Sequence, residues 1–356
     1  MTPLRTPPTP IRKYGRRPFP VSYPYHRHLK GRSLSETTAK ETATTAAGNT
    51  VPTDPDIPAL RAIEEAGVAA VLGDLAGSRL PRVRLLKHHP GSRCTVLADL
   101  GDRRIVIKAY AEHPEALVEL MRGLERVGLA SGRAPTIPPL LDVRVDLNLL
   151  VTAWLDGPAG RDLLAQGRGH RAGDVAAAWL HAAADVDLEL GEVLDPPSVL
   201  RDATRWVGYL ARADEGLGRA AADALHVLAS DPPTPGSMGT RHASFSPSHV
   251  FDLGDGPGVI DWDSFARGPL ELEAGMFLAS LSRLVGGRRR LGAEATEAAR
   301  AFRSGTSDMV QPETLEWYRS AMLVKLAKYL SHRRPRRWRD RAAGLLAEAR
   351  EVLGSP

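Results

Sequence analysis

The sequence predicts an α+β fold in two lobes, with a small antiparallel sheet first and a larger helical part after it. Strand-like runs with a hairpin signal occur between about residues 83 and 153, and helical periodicity dominates after Trp154. The first 54 residues are rich in Pro and Thr and show neither period. We therefore divide the chain into a basic tail (1–54), a sheet-containing lobe (55–155) and a helical lobe (156–356).

Composition is that of a globular protein, with 43% hydrophobic and 25% charged residues among 356. No apolar run approaches the roughly 20 residues that cross a bilayer, so no membrane span is expected. The N-terminus has no apolar stretch followed by a small-residue cleavage site, which argues against a secretory signal. Cys94 is the only cysteine. It excludes an intramolecular disulfide and a thiolate-rich metal site, and we expect a reducing, cytoplasmic location.

The net charge of +5 is unevenly distributed. Residues 1–50 contain nine Lys or Arg against Glu36 and Glu41, a net charge of +7, so the remainder carries −2. The folded part is therefore not expected to bind nucleic acid. The tail is too polar to offset its ordering entropy, so we expect it to be disordered and to touch anionic partners weakly. A transit peptide is the alternative, although the many prolines oppose an amphipathic helix.

The first lobe is expected to contain a leading helix, five strands and one further helix. Ile57–Leu75 has apolar residues at helical spacing, and Pro114 opens an amphipathic helix that reaches about Leu129. Leu100-Gly101-Asp102 is a hairpin signal. The expected strands are Val83–His88, Cys94–Ala98, Arg104–Tyr110, Pro138–Val143 and Leu149–Ala153.

The second lobe is expected to be mainly helical. A polar loop and a short strand pair at 241–263 interrupt its helices. The expected helices lie near residues 159–166, 173–190, 197–214, 219–230, 270–284, 293–304, 311–331 and 338–353.

The interrupting segment has the residues that could perform chemistry. A loop from Arg241 to His249 leads into a hairpin that turns at Gly254-Asp255-Gly256, and the returning apolar strand ends at Asp261. A carboxylate at the end of a buried strand stands at the mouth of a cleft, where it can bind a cation.

This segment resembles the aminoglycoside-phosphotransferase and choline-kinase family, which has a protein-kinase-like fold. The catalytic loop of that family reads His-Gly-Asp-Leu-His-Pro-Gly-Asn, and Ile-Asp-Phe/Trp-Asp/Glu follows it. Without gaps, His242 matches the first His, Pro247 matches the Pro, and Asp261-Trp262-Asp263 matches the strand end that binds metal. The register continues through Arg267-Gly268 to Glu273. The resemblance implies an ATP-dependent small-molecule kinase that uses Mg²⁺.

Upstream residues match the same family in order. Lys108, in Ile-Val-Ile-Lys-Ala-Tyr, resembles the strand lysine that pairs with nucleotide phosphates. Lys is scarce in this chain, with seven among 47 basic residues, so a Lys within an apolar strand needs its own explanation. Gly91 and Ser92 resemble the turn that covers the phosphates. Glu119, or Glu115 one turn earlier, would pair with Lys108 from the following helix.

The adenine of the nucleotide is expected between the lobes. Leu149–Ala153 with Trp154 and Leu155 resembles the strand and hinge of the family, so Ala153 and Leu155 would contact it.

Two departures from the family motif affect the chemistry. Ser244 stands where the family has the catalytic Asp, and His249 stands where it has the Asn that helps to hold magnesium. Serine is not a base near neutral pH, and loss of a general base costs about 10²–10⁴ in rate. Imidazole suits manganese or zinc better than magnesium. We take Ser244 and His242 as the catalytic positions and Asp261 and His249 as the metal-binding ones.

Each of these residues also has a structural interpretation. Asp261 could cap the next turn, and Asp263 is interpreted as a hydrogen-bond acceptor in preference to a second metal ligand. His242 is interpreted as a scaffold residue that bonds to nearby backbone in preference to a catalytic base. The arginine runs at 288–290 and 333–339 are either solvated charge or a site for an anionic acceptor or partner.

Three functions remain open from the sequence. The first is a small-molecule phosphotransferase with an alcohol acceptor, made slow by Ser244. The second is a pseudokinase that binds nucleotide or acts as a scaffold. The third is a metal hydrolase that uses His242, His249 and Asp261, although that leaves the ordered upstream motifs unexplained.

Overall fold

The computed structural model describes residues 42–45, 49–78, 80–234, 236–285 and 289–354. The expected tail before residue 42 lies outside the described residues, as do Arg288 and the side chains of Arg289 and Arg290.

A five-stranded antiparallel sheet forms the first lobe. Its strands are β3 Arg82–His89, β4 Arg93–Asp99, β5 Arg104–Tyr110, β6 Leu140–Arg144 and β7 Leu149–Ala153. They pair antiparallel in the order β3-β4-β5-β7-β6.

Two helices accompany this sheet. Helix α1 (Pro58–Leu72) starts with a proline and is interrupted at Gly67, whose φ is 83°. Its apolar residues pack on the sheet in one core with Ile105 and Ile107 of β5, both fully buried. Helix α2 (Glu115–Arg126) buries one face, including Leu120 and Leu124, in the core that continues into the second lobe.

A further hairpin precedes α1, where the sequence predicts tail. Strands β1 (Thr42–Thr45) and β2 (Asn49–Pro52) pair antiparallel. Asp54 follows them and is 5% exposed. Its carboxylate accepts hydrogen bonds from the amides of Asp56 (3.1 Å) and Gly91 (2.8 Å). The buried Asp54 carboxylate therefore anchors this segment through its hydrogen bonds. The polar composition of the segment could not predict this, because composition does not reveal hydrogen-bond partners.

The second lobe is helical, as predicted. Its helices surround two cores that meet along α7, one with Trp179 and Phe277 and one with Trp317 and Tyr318. Their bounds are α3 Gly160–Ala165, α4 Gly169–Ala183, α5 Pro196–Ala213, α6 Glu215–Ser230, α7 Leu270–Val285, α8 Arg289–Thr306, α9 Pro312–Arg333 and α10 Trp338–Gly354. No helix among the described residues has the length and apolarity to cross a membrane.

Helix α4 ends seven residues before the predicted end. The guanidinium of Arg241, 3% exposed, donates to the carbonyls of Ala183 (3.0 Å) and Ala184 (3.1 Å) and so caps the helix. This cap comes from a residue 58 positions along the chain, which local periodicity cannot reveal.

Short strands frame the loop that carries the motif. Strands β10 (Val250–Asp252) and β11 (Pro257–Val259) form the expected hairpin. Strand β12 (Ala266–Gly268) lies between β8 (Glu192–Val193) and β9 (Gly239–Arg241). These strands hold both ends of the segment 241–268 in the second lobe.

Candidate nucleotide and phosphoryl-transfer site

Lys108 and Asp261 come together, although they lie on different lobes. Lys108 is in the middle of β5, between Thr95 of β4 and Leu150 of β7. Its Nζ donates to Asp261 Oδ1 at 3.1 Å and to Asp263 Oδ2 at 2.5 Å. The ammonium of a sheet lysine therefore contacts two carboxylates of the segment that directly follows β11.

Asp263 contacts three side chains of the five-stranded sheet. Besides Lys108, its carboxylate accepts a hydrogen bond from Tyr110 Oη at 2.8 Å and lies 3.0 Å from Arg93 Nη1. Its side chain is 9% exposed. Asp263 thus acts as a hydrogen-bond acceptor, and it joins two cations of the sheet to the second lobe. The sequence did not single out Arg93 or Tyr110, because their approach depends on how β4 and β5 face the hairpin.

Asp261 holds an unusual backbone conformation at the end of its strand. Its φ of 67° lies in the left-handed region, which costs a non-glycine residue energy unless the surroundings compensate. Its Oδ2 lies 3.9 Å from Lys87 Nζ and 3.7 Å from His249 Nε2. The bent backbone turns this carboxylate toward three nitrogen-bearing side chains.

Charges at this site support one another. Burial opposes ionisation of Asp261, but the neighbouring ammonium of Lys108 outweighs burial and holds the pKa of Asp261 well below the usual range. Burial also disfavours the charged form of Lys108, yet Tyr110 and the two carboxylates raise its pKa above the ordinary value. Both groups are therefore ionised at neutral pH.

The loop after β9 forms a hydrogen-bonded chain through two imidazoles. His242 Nε2–H donates to the carbonyl of Ile260 at 2.8 Å, so its Nδ1 is an acceptor. Ser244 Oγ–H donates to that Nδ1 at 3.0 Å. His249 Nδ1–H donates to the carbonyl of Ser244 at 2.9 Å, which directs the Nε2 lone pair toward Asp261.

Burial keeps both imidazoles neutral. His242 is fully buried, and burial together with its neighbour His249 lowers its pKa to about 3. Burial likewise lowers the pKa of His249. The rings stack with centroids 5.1 Å apart. At pH 7 neither carries a charge, and His242 is a weak base for Ser244.

Glu273 and Lys325 hold the loop through hydrogen bonds to its backbone, a role that the sequence did not predict. Glu273 on α7 accepts hydrogen bonds from the amides of His242 and Ala243, both at 3.0 Å. Lys325 on α9 donates to the carbonyl of Ala243 at 3.2 Å. Ala243 needs this support because its φ of 56° lies in the left-handed region, at a position where the family motif has glycine. The sequence had aligned Glu273 with the family, but only the fold shows what it holds.

An apolar cavity of about 260 Å³ adjoins Lys108 and Asp261. Its lining includes Ala153, Trp154 and Leu155. The remaining lining is largely aliphatic and aromatic and includes Val106, Leu150, Met121, Phe251 and Ile260. An apolar slot with charged groups at one end is typical of a ligand site.

The predicted phosphate-covering turn lies between β3 and β4. The amide of Ser92 bonds to the carbonyl of His89 at 3.0 Å, and Gly91 has a φ of 67°. The Gly91 amide already donates to Asp54, whose carboxylate also contacts His88 Nε2 at 2.8 Å. The turn is therefore held from the N-terminal side by a carboxylate.

Glu119 does not join the site. It is exposed on α2, as is Glu115, and among the described residues no ion pair connects either to Lys108. Lys108 pairs instead with Asp261 and Asp263, which approach from the other lobe.

The described residues contain no group of three or more His, Cys, Asp and Glu side chains that could hold a metal ion. Asp261 and His249 supply only two potential ligands. A cation bound between them would need further ligands to complete its coordination.

Comparison with solved structures places this arrangement among known folds. The aminoglycoside phosphotransferase APH(4)-Ia, as a thermostable mutant in a ternary complex with ADP and hygromycin B, aligns with a TM-score of 0.56 and 18% identity over 82% of this chain and 100% of that chain. The choline kinase LicA from Streptococcus pneumoniae aligns with a TM-score of 0.54 and 11% identity over 82% and 99%. A choline/ethanolamine kinase family protein from Mesorhizobium loti gives 0.53 and 14% over 82% and 95%.

Sequence comparison adds nothing to this result, since no protein-family model and no curated protein matches the chain. The fold class expected from the sequence is confirmed. The chain has the two-lobed, protein-kinase-like fold of the choline kinases and aminoglycoside phosphotransferases.

Proposed function

We propose that this protein is an ATP-dependent phosphotransferase that acts on a hydroxyl group of a small molecule. One observation carries the proposal. Lys108 and Asp261, from different lobes, meet within hydrogen-bonding distance at the end of an apolar cavity bordered by the hinge residues Ala153–Leu155. The relatives in fold include choline and aminoglycoside phosphotransferases, and the agreement between fold and site supports the same class of reaction.

The residues present fit a nucleotide. The aliphatic walls of the cavity suit a flat base, and Lys87, Arg93 and Lys108 supply cations beside it for a triphosphate. Lys108 keeps its charge, because the carboxylates of Asp263 and Asp261 face it. It would orient the phosphates as the strand lysine does in kinase-like enzymes.

A divalent cation fits beside Asp261. The carboxylate Oδ2 and the His249 Nε2 lone pair, both acceptors, face each other at 3.7 Å without a proton between them. Phosphate oxygens would complete the coordination. One nitrogen ligand in the set favours Mn²⁺ over Mg²⁺, since Mg²⁺ prefers oxygen. When bound, the cation supplies charge neutralisation at the phosphates.

Ser244 occupies the position that faces the acceptor hydroxyl in the family motif. Its Oγ–H is donated to His242, so its lone pairs remain able to accept a hydrogen bond and orient the acceptor. A proton passed on to His242 would meet a base whose pKa is about 3. Strong general-base catalysis is therefore absent, and transfer relies on positioning and charge, which the loose transition state of phosphoryl transfer permits at a reduced rate.

A pseudokinase is the second candidate, and the same loop favours it. Ser244 has no strong base beside it. The Gly91 amide, which would otherwise be available to a phosphate, already donates to Asp54. The Lys108 ammonium already donates to two carboxylates. A nucleotide-binding module needs the cavity and Lys108 but not Ser244. A metal hydrolase has less support, because both ring nitrogens of His242 are already hydrogen-bonded.

Nucleotide binding and turnover separate these functions. Thermal shift with ATP and either Mn²⁺ or Mg²⁺, together with ADP release in the presence of a panel of hydroxyl compounds, is measured for the wild type and for Asp261→Ala. Binding with an acceptor-dependent turnover that Asp261→Ala abolishes supports the transferase. Binding without turnover supports the pseudokinase. If ATP leaves the melting temperature unchanged with either metal, the transferase and a nucleotide-binding pseudokinase are both wrong, and only the scaffold role remains.

A further inference from the structure

A second large cavity lies in the helical lobe, away from the residues that line the nucleotide cavity. Its volume is about 780 Å³, and helices α7, α8, α9 and α10 form its walls. Small-molecule sites commonly have volumes of roughly 300–1,000 Å³. Its described lining includes six arginines, namely Arg283, Arg303, Arg319, Arg336, Arg337 and Arg341. We call this cavity the arginine basin.

Carboxylates compensate only part of this charge. Glu316 pairs with Arg303 at 2.5 Å and with Arg319 at 2.9 Å. Glu348 also pairs with Arg319 and accepts a hydrogen bond from Ser282. Asp340 at the rim pairs with Arg337 at 2.9 Å. These acids are therefore committed to Arg303, Arg319 and Arg337.

Arg283 and Arg341 have no carboxylate partner among the described residues. The Nε atoms of both are buried and have no hydrogen-bond acceptor. Arg341 Nη2 reaches only the backbone carbonyl of Arg283, at 3.5 Å, and the Arg283 guanidinium lies 5.7 Å from the ring centroid of Tyr329.

The surroundings of Arg283 oppose its charge. Burial lowers its pKa, and among the charged groups near it Arg341 and Arg161 lower that pKa further. Arg283 and Arg341 are half-buried, with their Nε atoms fully removed from solvent. A guanidinium in such a position is unfavourable without a counter-ion, whereas with a bound anion it contributes strong, charge-assisted hydrogen bonds. Two such groups in one large cavity are difficult to explain as packing alone.

We propose that the arginine basin binds a small molecule with at least two anionic groups, phosphate or carboxylate. The guanidinium groups of Arg283 and Arg341 are its primary contacts, and both can bind an oxyanion in a bidentate manner. Arg336, exposed at the rim, adds a third cation without a carboxylate partner among the described residues. The basin shares no lining residue with the nucleotide cavity, so this inference goes beyond the proposed function and does not depend on it.

Calorimetry and thermal shift on the full chain test the proposal at low ionic strength, with inorganic pyrophosphate and citrate as probes. The two probes distinguish phosphate from carboxylate ligands. The variants are Arg283→Met and Arg341→Met in the basin, Lys108→Ala in the nucleotide cavity, and Arg300→Met as a matched control. Arg300 is on α8, exposed and paired with Glu297 outside the basin.

The wild type is expected to bind at least one probe and to gain about 3 °C or more in melting temperature at saturation. Arg283→Met and Arg341→Met each weaken this binding at least about tenfold, while Lys108→Ala and Arg300→Met retain it. Without probe, Arg283→Met melts at or above the wild-type temperature, since an uncompensated charge has been removed.

Three results would overturn the proposal. The first is that neither probe binds. The second is that binding survives both basin variants but disappears in Lys108→Ala, which would assign it to the nucleotide cavity. The third is that Arg283→Met and Arg341→Met melt well below the wild type or do not fold, which would make these arginines structural.

Discussion

Lys108 Nζ and Asp263 Oδ2 lie 2.5 Å apart, and this contact replaces the pairing expected between Lys108 and Glu119. The ammonium comes from the sheet and the carboxylate from the late hairpin, 155 positions along the chain. Among the described residues, the carboxylate that pairs with the strand lysine therefore lies on the segment after β11 and not on helix α2.

The first prediction concerns Asp263. Asp263→Asn keeps an acceptor for Tyr110 but removes the negative charge that faces Arg93 and Lys108. We expect the free energy of unfolding to fall by about 2–3 kcal/mol and ATP to bind about tenfold more weakly. Urea denaturation and calorimetry measure these effects. The exposed neighbour Ser264 provides the control, as Ser264→Ala should change neither. Unchanged ATP affinity in Asp263→Asn would show that Asp263 does not position Lys108.

The second prediction concerns the missing base. Ser244→Asp places a carboxylate where the family motif has one, and acceptor-dependent ADP release should rise by about 10²-fold or more. Ser244→Ala should remain within about fivefold of the wild type, because the serine orients the acceptor without acting as a base. Steady-state rates with Asp261→Ala as the inactive reference measure this. A large loss in Ser244→Ala would assign a larger role to the hydroxyl group.

The third prediction concerns the preference between metals. His249→Asn replaces the imidazole nitrogen beside Asp261 with an amide, which can offer an oxygen. ATP affinity with Mg²⁺ should therefore rise relative to that with Mn²⁺, by about tenfold in the ratio of dissociation constants. Titrations with each metal measure the ratio. His170→Asn is the control, since His170 is exposed on α4 and bonds to Asp174. An unchanged ratio in His249→Asn would place the cation away from this ring.

The fourth prediction uses the protonation of Glu273. Burial raises its pKa to about 7 against the two amides that favour the carboxylate, from an ordinary value of 4.5. A raised folded-state pKa means that Glu273 stabilises the fold fully below about pH 4.5 and loses that contribution as the pH rises through about 7. Glu273→Gln cannot ionise.

The advantage of the wild type over Glu273→Gln in unfolding free energy should therefore shrink from pH 5 to pH 8, by up to about 3 kcal/mol. Denaturation at several pH values measures the difference. Taking the difference at each pH removes the opposite contribution of His242, whose lowered pKa makes the fold lose stability as the pH falls. A difference that stays constant with pH would mean that Glu273 remains ionised throughout.

The fifth prediction concerns the anchor before α1. Asp54→Ala leaves the Gly91 amide and His88 without their acceptor, and we expect a loss of about 2–3 kcal/mol in unfolding free energy. Asp56→Ala is the matched control, because Asp56 is exposed and two residues away. Equal losses in the two variants would show that the segment contributes through its backbone and not through the Asp54 carboxylate.

Much of the fold could be read from local patterns. Strands β5 and β7 have the predicted bounds, since a short run rich in apolar residues marks each strand without reference to its neighbours. The helices of the second lobe were predicted from their 3.6-residue period in the same way. The end of α4 did not follow, because Arg241 caps it from a distant strand.

The candidate site was likewise predictable only in part. The order of the motifs along the chain was enough to predict that Lys108, the loop from His242 to His249 and Asp261 belong to one kinase-like site. The pairing of Lys108 with Asp263 instead of Glu119, and the contact of Asp54 with the Gly91 turn, became visible only in the folded chain. Spacing along the chain governs which residues share a strand or helix face, whereas pairing of charges depends on which surfaces the packed lobes bring within a few ångströms.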